Sequence, residues 1–134
     1  IPIIGQGMHM AGYIPVKRRD PKSRGEALMK CEQTLIEGGN MLFFPEGTRS
    51  KDGELLPFKV GAFKLSDKLK VRIQPIVIEG AQKLLEKHSP WPGIAKVQIE
   101  ILPPMKREAS ESLEEYMNRT RDLISTTLNK LRTL

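Results

Sequence analysis

The sequence is short of several things that would otherwise settle its class. It has a single cysteine, Cys31, so no internal disulfide can form, and stability has to come from a packed core in which Cys31 itself is expected to sit. Aromatic residues make up 5% of the chain, too few to build the stacking surfaces that read single-stranded nucleic acid. No apolar run approaches the ~20 residues needed to cross a bilayer, so no transmembrane helix is expected. Nothing resembles a signal peptide.

At 134 residues the chain is the size of one domain, and residues 1–134 are read as one. It opens on Ile1, and its first residues, IPIIGQGMHMAGYIPV, read as the middle of a packed structure. The expectation is therefore a piece of a longer protein, truncated at its N-terminus. The net charge of +6 and a pI near 9.6 favour anionic partners: nucleic acid, an anionic membrane surface or a phosphorylated metabolite. The basic residues are scattered among 16 acids and form no nucleic-acid recognition motif, which argues against the first of these.

Alternating strand-like and helix-like stretches predict an α/β fold, with a central, largely parallel or mixed sheet flanked by helices. Residues 12–17 (GYIPVK) read as a short strand. Ser23 and Glu26 have capping-box spacing ahead of a helix carrying Ala27, Leu28, Cys31, Thr34 and Leu35, which Gly38 and Gly39 end. The run MLFF at 41–44 reads as a strand buried on both faces. A second helix is expected over 59–69, strands over 73–78 and 96–102, and a Pro-rich loop over 89–93. Ser112 and Glu115 cap a last helix whose Leu113, Tyr116, Met117, Leu123, Ile124, Leu128 and Leu131 share a face, expected to pack on the sheet rather than lie on lipid.

Chemistry concentrates in FFPEGTRS, Phe43 to Ser50, where an apolar run stops at a cluster of polar residues. In α/β folds ligands gather at such strand ends. Arg49 offers a planar fork of donors suited to phosphate, Gly47 lets backbone approach a ligand, and Glu46 can orient a hydroxyl or hold a basic neighbour. On these grounds alone, a strand-end turn with a surface ion pair fits equally well. Arg18, within the basic run Lys17-Arg18-Arg19, could converge with Arg49 on one anion, whereas Lys17 and Arg19 read as solvated charge. Lys59 and Gly61, in FKVGAF, stand at a helix start where positive potential gathers.

FPEGTRS followed by DGELLPFKVGAF resembles the signature of the lysophosphatidic acid acyltransferases, the 1-acylglycerol-3-phosphate acyltransferase family. The resemblance implies that Glu46, Gly47, Thr48 and Arg49 bind the glycerol phosphate of the acyl acceptor, with Pro45 beside them. GYIPVKR is similar to the family's preceding block, which makes Arg18 a phosphate contact, although Lys17 replaces the usual Asp or Asn. IQPIVIEGA is similar to its last block and would set Pro75 near the substrate pocket; a plain core strand is the alternative. The family's catalytic block, His and Asp separated by four residues, is not matched: Ile14 follows His9 and Gly93 follows His88 at that spacing. It is expected upstream of Ile1, which would leave this segment inactive by itself.

The implied activity is transfer of a fatty acyl group from acyl-CoA or acyl carrier protein to lysophosphatidic acid. It needs no metal or prosthetic group and would take place at an anionic membrane surface on the cytoplasmic face. Two alternatives remain at this point: a non-catalytic relative that binds lipid phosphate, and an acyltransferase for another glycerophosphate acceptor.

Overall fold

The computed structural model describes residues 12–17, 19–50, 53–84 and 93–133. Contacts divide the chain into two units, Ile1–Phe43 and Phe44–Leu134.

The first unit is built on helix α1, Pro21–Ile36. The cap lies three residues before the one expected at Ser23. Asp20 stands at the N-cap with its carboxylate accepting the Lys22 N–H at 3.0 Å, and Pro21 opens the helix where its missing N–H costs nothing. The Ser23 hydroxyl is used elsewhere, accepting the Lys17 N–H at 3.0 Å. Ala27 and Cys31, one turn apart, are buried, as expected for the cysteine. Burial also pushes the Cys31 thiol above its ordinary pKa. Gly38 then adopts φ +83°, and the Gly39 N–H returns to the Thr34 carbonyl, ending the helix.

Neither 12–17 nor 41–44 forms a strand. Both are irregular, and in the second Leu42 and Phe44 are exposed while Met41 and Phe43 are half-buried. An apolar stretch makes a strand only where a neighbouring strand takes the backbone hydrogen bonds, and among the described residues neither segment has one.

The second unit contains helix α2 (Gly61–Leu69), strands β1 (Ile76–Glu79) and β2 (Gln98–Ile101), and helix α3 (Leu113–Arg132), with a 3-10 turn at Ala81–Lys83. The two strands pair antiparallel, Ile76 opposite Ile101 and Ile78 opposite Ile99, so among the described residues the sheet is a two-stranded antiparallel one and not the largely parallel or mixed sheet expected. Pairing resumes at Ile73 and Met105, but in between lie Pro75 on one segment and Pro103 and Pro104 on the other, none of which has an N–H to donate. That gap explains why β1 is shorter at its start than the expected strand. After β1 the chain turns at Gly80, φ +84°, where a β-carbon would lie 2.1 Å from the Lys96 carbonyl oxygen; only glycine fits.

Helix α3 packs on β1 and α2. Its capping box is complete, Ser112 and Glu115 each bonding the other's backbone N–H. The expected stripe faces inward: Leu128 and Leu131 join Val77 and Leu102 in one core cluster. Tyr116 joins Phe58 and Phe63 in a second, with Phe63 edge-on to Tyr116 at 5.4 Å, a contact worth about 0.5–1.5 kcal/mol beyond area burial. Thr120 and Thr127 are also buried, their hydroxyls bonding the carbonyls one turn back, those of Tyr116 and Leu123. The outer face of the hairpin carries Ile76, Ile78, Ile99 and Ile101, all exposed.

Candidate functional site

The expected motif folds as a turn tied to the start of α2. Its N-terminal bond runs from the Gly47 N–H to the Phe44 carbonyl at 3.0 Å, and the Lys59 N–H donates to the Pro45 carbonyl at 2.7 Å. The Glu46 carboxylate accepts the Leu56 N–H at 2.8 Å. Thus Pro45 and Glu46, at the head of the motif, each hold a backbone group of the segment that leads into α2. Gly47 takes φ +71°, the left-handed region glycine occupies without strain, and a β-carbon there would sit 3.7 Å from Cγ of Lys59.

Phe58 gives this arrangement its footing. It is buried and stacks on Phe63 with ring centroids 6.2 Å apart, so Lys59, the next residue, is delivered to the surface beside Gly47. Gly61 opens α2, and no side chain caps the helix at Val60. The N–H groups of its first turn therefore add partial positive charge close to Lys59. Thr48 and Arg49 follow Gly47 on the exposed side of the turn.

Of the residues singled out in the sequence, Pro45, Glu46, Gly47 and Lys59 come together through bonds and contact, with Thr48, Arg49 and Gly61 adjacent in the chain. Pro75 is buried just before β1, its carbonyl accepting the Leu102 N–H at 3.0 Å. Arg18, His9 and His88 lie outside the described residues. Glu46 proves to have a backbone partner, where the residue type alone suggested a hydroxyl or a basic neighbour. Sequence reasoning missed the supports contributed by α3. Arg121 donates to the Leu55 and Leu56 carbonyls, and Arg132 donates to the Gly53 carbonyl and pairs with Glu54 at 3.0 Å. No local signal marks contacts that span more than sixty residues.

A groove at the start of α3 is lined by Glu108, Glu111, Glu115, Asp122 and Arg119. Arg119 is already bound by Glu111 through two bonds of 2.6 and 2.8 Å, and carboxylates repel phosphate, so this groove does not suit an anion. The guanidinium holds the Glu111 carboxyl below its ordinary pKa. Among the described residues no cluster of His, Cys, Asp or Glu is arranged to hold a metal ion.

Helices packed on an antiparallel strand pair, with a polar, glycine-containing turn beside a helix start that no side chain caps, make this unit an α/β domain. The acyltransferase family model matches residues 1–79, and the chain belongs to that family, within the 1-acylglycerol-3-phosphate acyltransferases. It is 47% identical over 85 residues to a chloroplastic 1-acyl-sn-glycerol-3-phosphate acyltransferase of Brassica napus, covering 63% of this chain and 25% of that protein. The enzyme of the same name from Helicobacter pylori is 38% identical over 85 residues, covering 63% of this chain and 36% of the other. The crystal structure of the 1-acyl-sn-glycerophosphate (LPA) acyltransferase PlsC from Thermotoga maritima aligns with a TM-score of 0.74 at 29% identity, covering 81% of this chain and 45% of that one. The α/β fold expected from the sequence is therefore that of this family. The chain spans between a quarter and just under half the length of these three relatives.

Proposed function

We propose that this chain carries the acceptor-phosphate site of an enzyme that acylates the sn-2 hydroxyl of 1-acyl-glycerol 3-phosphate, giving phosphatidic acid for phospholipid synthesis. The observation that supports this reading is the turn at Pro45–Arg49, bonded to the segment leading into α2 so that Gly47, Lys59 and an uncapped helix start lie side by side. Arg49 and Lys59 supply full positive charge, while Gly47, Thr48 and the first N–H groups of α2 supply neutral donors; this mixture suits a phosphate monoester. Glu46 holds the turn in shape. Pro75 belongs to the same proposed acceptor site, and the role of Arg18 as a phosphate ligand rests on the sequence resemblance alone.

The donor is a fatty acyl thioester of coenzyme A or acyl carrier protein. In the reaction the acceptor hydroxyl gives its proton to a general base, its oxygen bonds to the thioester carbon, and the carbon–sulfur bond breaks, the sulfur taking that proton from the base and leaving as the thiol. The His/Asp pair for that proton transfer is not among the residues of this chain, and in this reading it belongs to a part of the enzyme outside it. Holding the phosphate fixes the hydroxyl for attack, which lowers the entropic part of the barrier. A net charge of +6 suits work at an anionic membrane surface, on the cytoplasmic face. Among the described residues no helix is long and apolar enough to cross a membrane.

The test is acyl transfer from oleoyl-CoA and from oleoyl-acyl carrier protein to lysophosphatidic acid, assayed with this segment and with the complete gene product. Activity in the complete protein alone, lost or weakened by Arg49→Ala, is the expected result. A charge-assisted phosphate bond is worth about 1.5–3 kcal/mol, so the acceptor KM should rise by roughly ten- to a hundredfold. Full-rate acylation by this segment alone would overturn the assignment of the base, and unchanged acceptor kinetics in Arg49→Ala would remove Arg49 from the site.

A further inference from the structure

We propose that Arg121, on the C-terminal helix α3, is a positioning residue for the motif turn and sets affinity for the acyl acceptor without touching it. The inference rests on the reading of that turn as the phosphate site. Arg121 donates through Nη2 to the Leu55 carbonyl at 2.8 Å and through Nε toward the Leu56 carbonyl at 3.5 Å. The peptide N–H of the same Leu56 donates to Glu46 at 2.8 Å. Leu56 is thus held on one side by α3 and on the other by the motif, and the chain of bonds runs Arg121, Leu56, Glu46, Gly47.

The tether matters because the ligands stand on a loop. Thr48 and Arg49 are exposed, and an exposed turn keeps one geometry only as far as its bonds hold it. The Glu46–Leu56 bond can fix the turn only if Leu56 is itself fixed. Leu55 packs partly buried against the Phe58, Phe63 and Tyr116 cluster, and Arg121 adds donors aimed at the two carbonyls beside it. Lower on the same helix Arg132 bonds the Gly53 carbonyl and pairs with Glu54, so α3 grips the segment 53–56 at two points. A helix remote in sequence from the motif thereby sets how well ordered the phosphate ligands are before substrate arrives, and pre-organisation of this kind appears as affinity.

The experiment uses the complete enzyme in four forms: wild type, Arg121→Ala, Arg121→Lys and Leu128→Ala. The last removes a buried side chain from the other core cluster on the same helix and serves as the control for general destabilisation. Two readouts are taken: amide hydrogen exchange at Leu56 and Gly47, and kinetics toward lysophosphatidic acid and toward the acyl donor. In Arg121→Ala both amides should exchange faster, and the acceptor KM should rise about tenfold with kcat and the donor KM within about twofold. Arg121→Lys, which restores one donor to these carbonyls, should recover part of the affinity, and Leu128→Ala should lower Tm while leaving the acceptor KM in place.

Unchanged exchange at Leu56 and Gly47 in Arg121→Ala, or the same KM defect in Leu128→Ala, overturns the proposal. If Arg49→Ala raises the acceptor KM and Arg121→Ala does not, the phosphate site stands and the positioning role falls. If the wild type does not acylate lysophosphatidic acid, the substrate reading falls, and with it the role in acceptor affinity; the exchange data then decide only whether the tether exists.

Discussion

Gly47 shows how much of the candidate site depends on backbone rather than on charge. Its φ of +71° costs an L-residue about 1–2 kcal/mol, and its neighbour on the open side is the Lys59 stem. A methyl group there would be in ordinary contact, so the penalty of Gly47→Ala comes from the dihedral and not from a clash. The turn would relieve it by rotating, which would move Thr48 and Arg49. The expected outcome is a loss of about 1–2 kcal/mol in stability with a rise in acceptor KM, measured by denaturant unfolding and by kinetics on the complete enzyme. A variant with unchanged stability and unchanged KM would show that the positive φ is not needed. Glycine's presence at this position was readable in FPEGTR. The bond from Glu46 to Leu56 was not, because a carboxylate beside an arginine is read as one half of an ion pair until the backbone that reaches it is seen.

At the scale of elements, legibility followed how local each determinant is. The box at Ser112 and Glu115, the stripe on α3 and the helix before Gly38 are encoded within a few residues, and all three are present. The start of α1 was misplaced because two valid capping signals lie three residues apart, and Asp20-Pro21 prevails while Ser23 bonds Lys17. The segments 12–17 and 41–44 carried apolar residues but no information about a partner, and pairing is what makes a strand. The hairpin turns one face to α3 and the other outward, which gives a contrast to test. Leu128→Ala, in the buried cluster with Val77 and Leu102, should cost about 2–5 kcal/mol. Ile99→Thr, at a position 62% exposed, should stay within about 0.5 kcal/mol. Urea unfolding of both variants measures the difference, and equal losses would mean that the outer face is as buried as the inner one.

Across the second unit, three carboxylates are held below their ordinary pKa by ion pairs and by a helix cap, and these shape its response to acid. Asp67 of α2 is bonded by Arg107 at 2.8 Å and by Lys70 at 3.0 Å, which together hold its carboxyl below the ordinary value, Arg107 contributing more. Glu111 is held down by Arg119, and Glu115 by the backbone and hydroxyl of Ser112. All three shifts have the same sign. A carboxylate with a lower pKa in the folded than in the unfolded chain adds stability that is fully present above the unfolded value, near pH 4, and is lost as the pH falls through the folded one. Protonation also raises a net charge that already stands at +6 near neutrality, adding repulsion in the compact state. Thermal unfolding of the complete enzyme should therefore show Tm steady from pH 7 to about 5 and falling below about 4. In Glu111→Gln, where Arg119 loses its nearer carboxylate and keeps Glu108 at 3.9 Å, Tm should start lower at pH 7 and fall less steeply with acid. An acid slope identical to wild type would show that this pair is not part of the linkage.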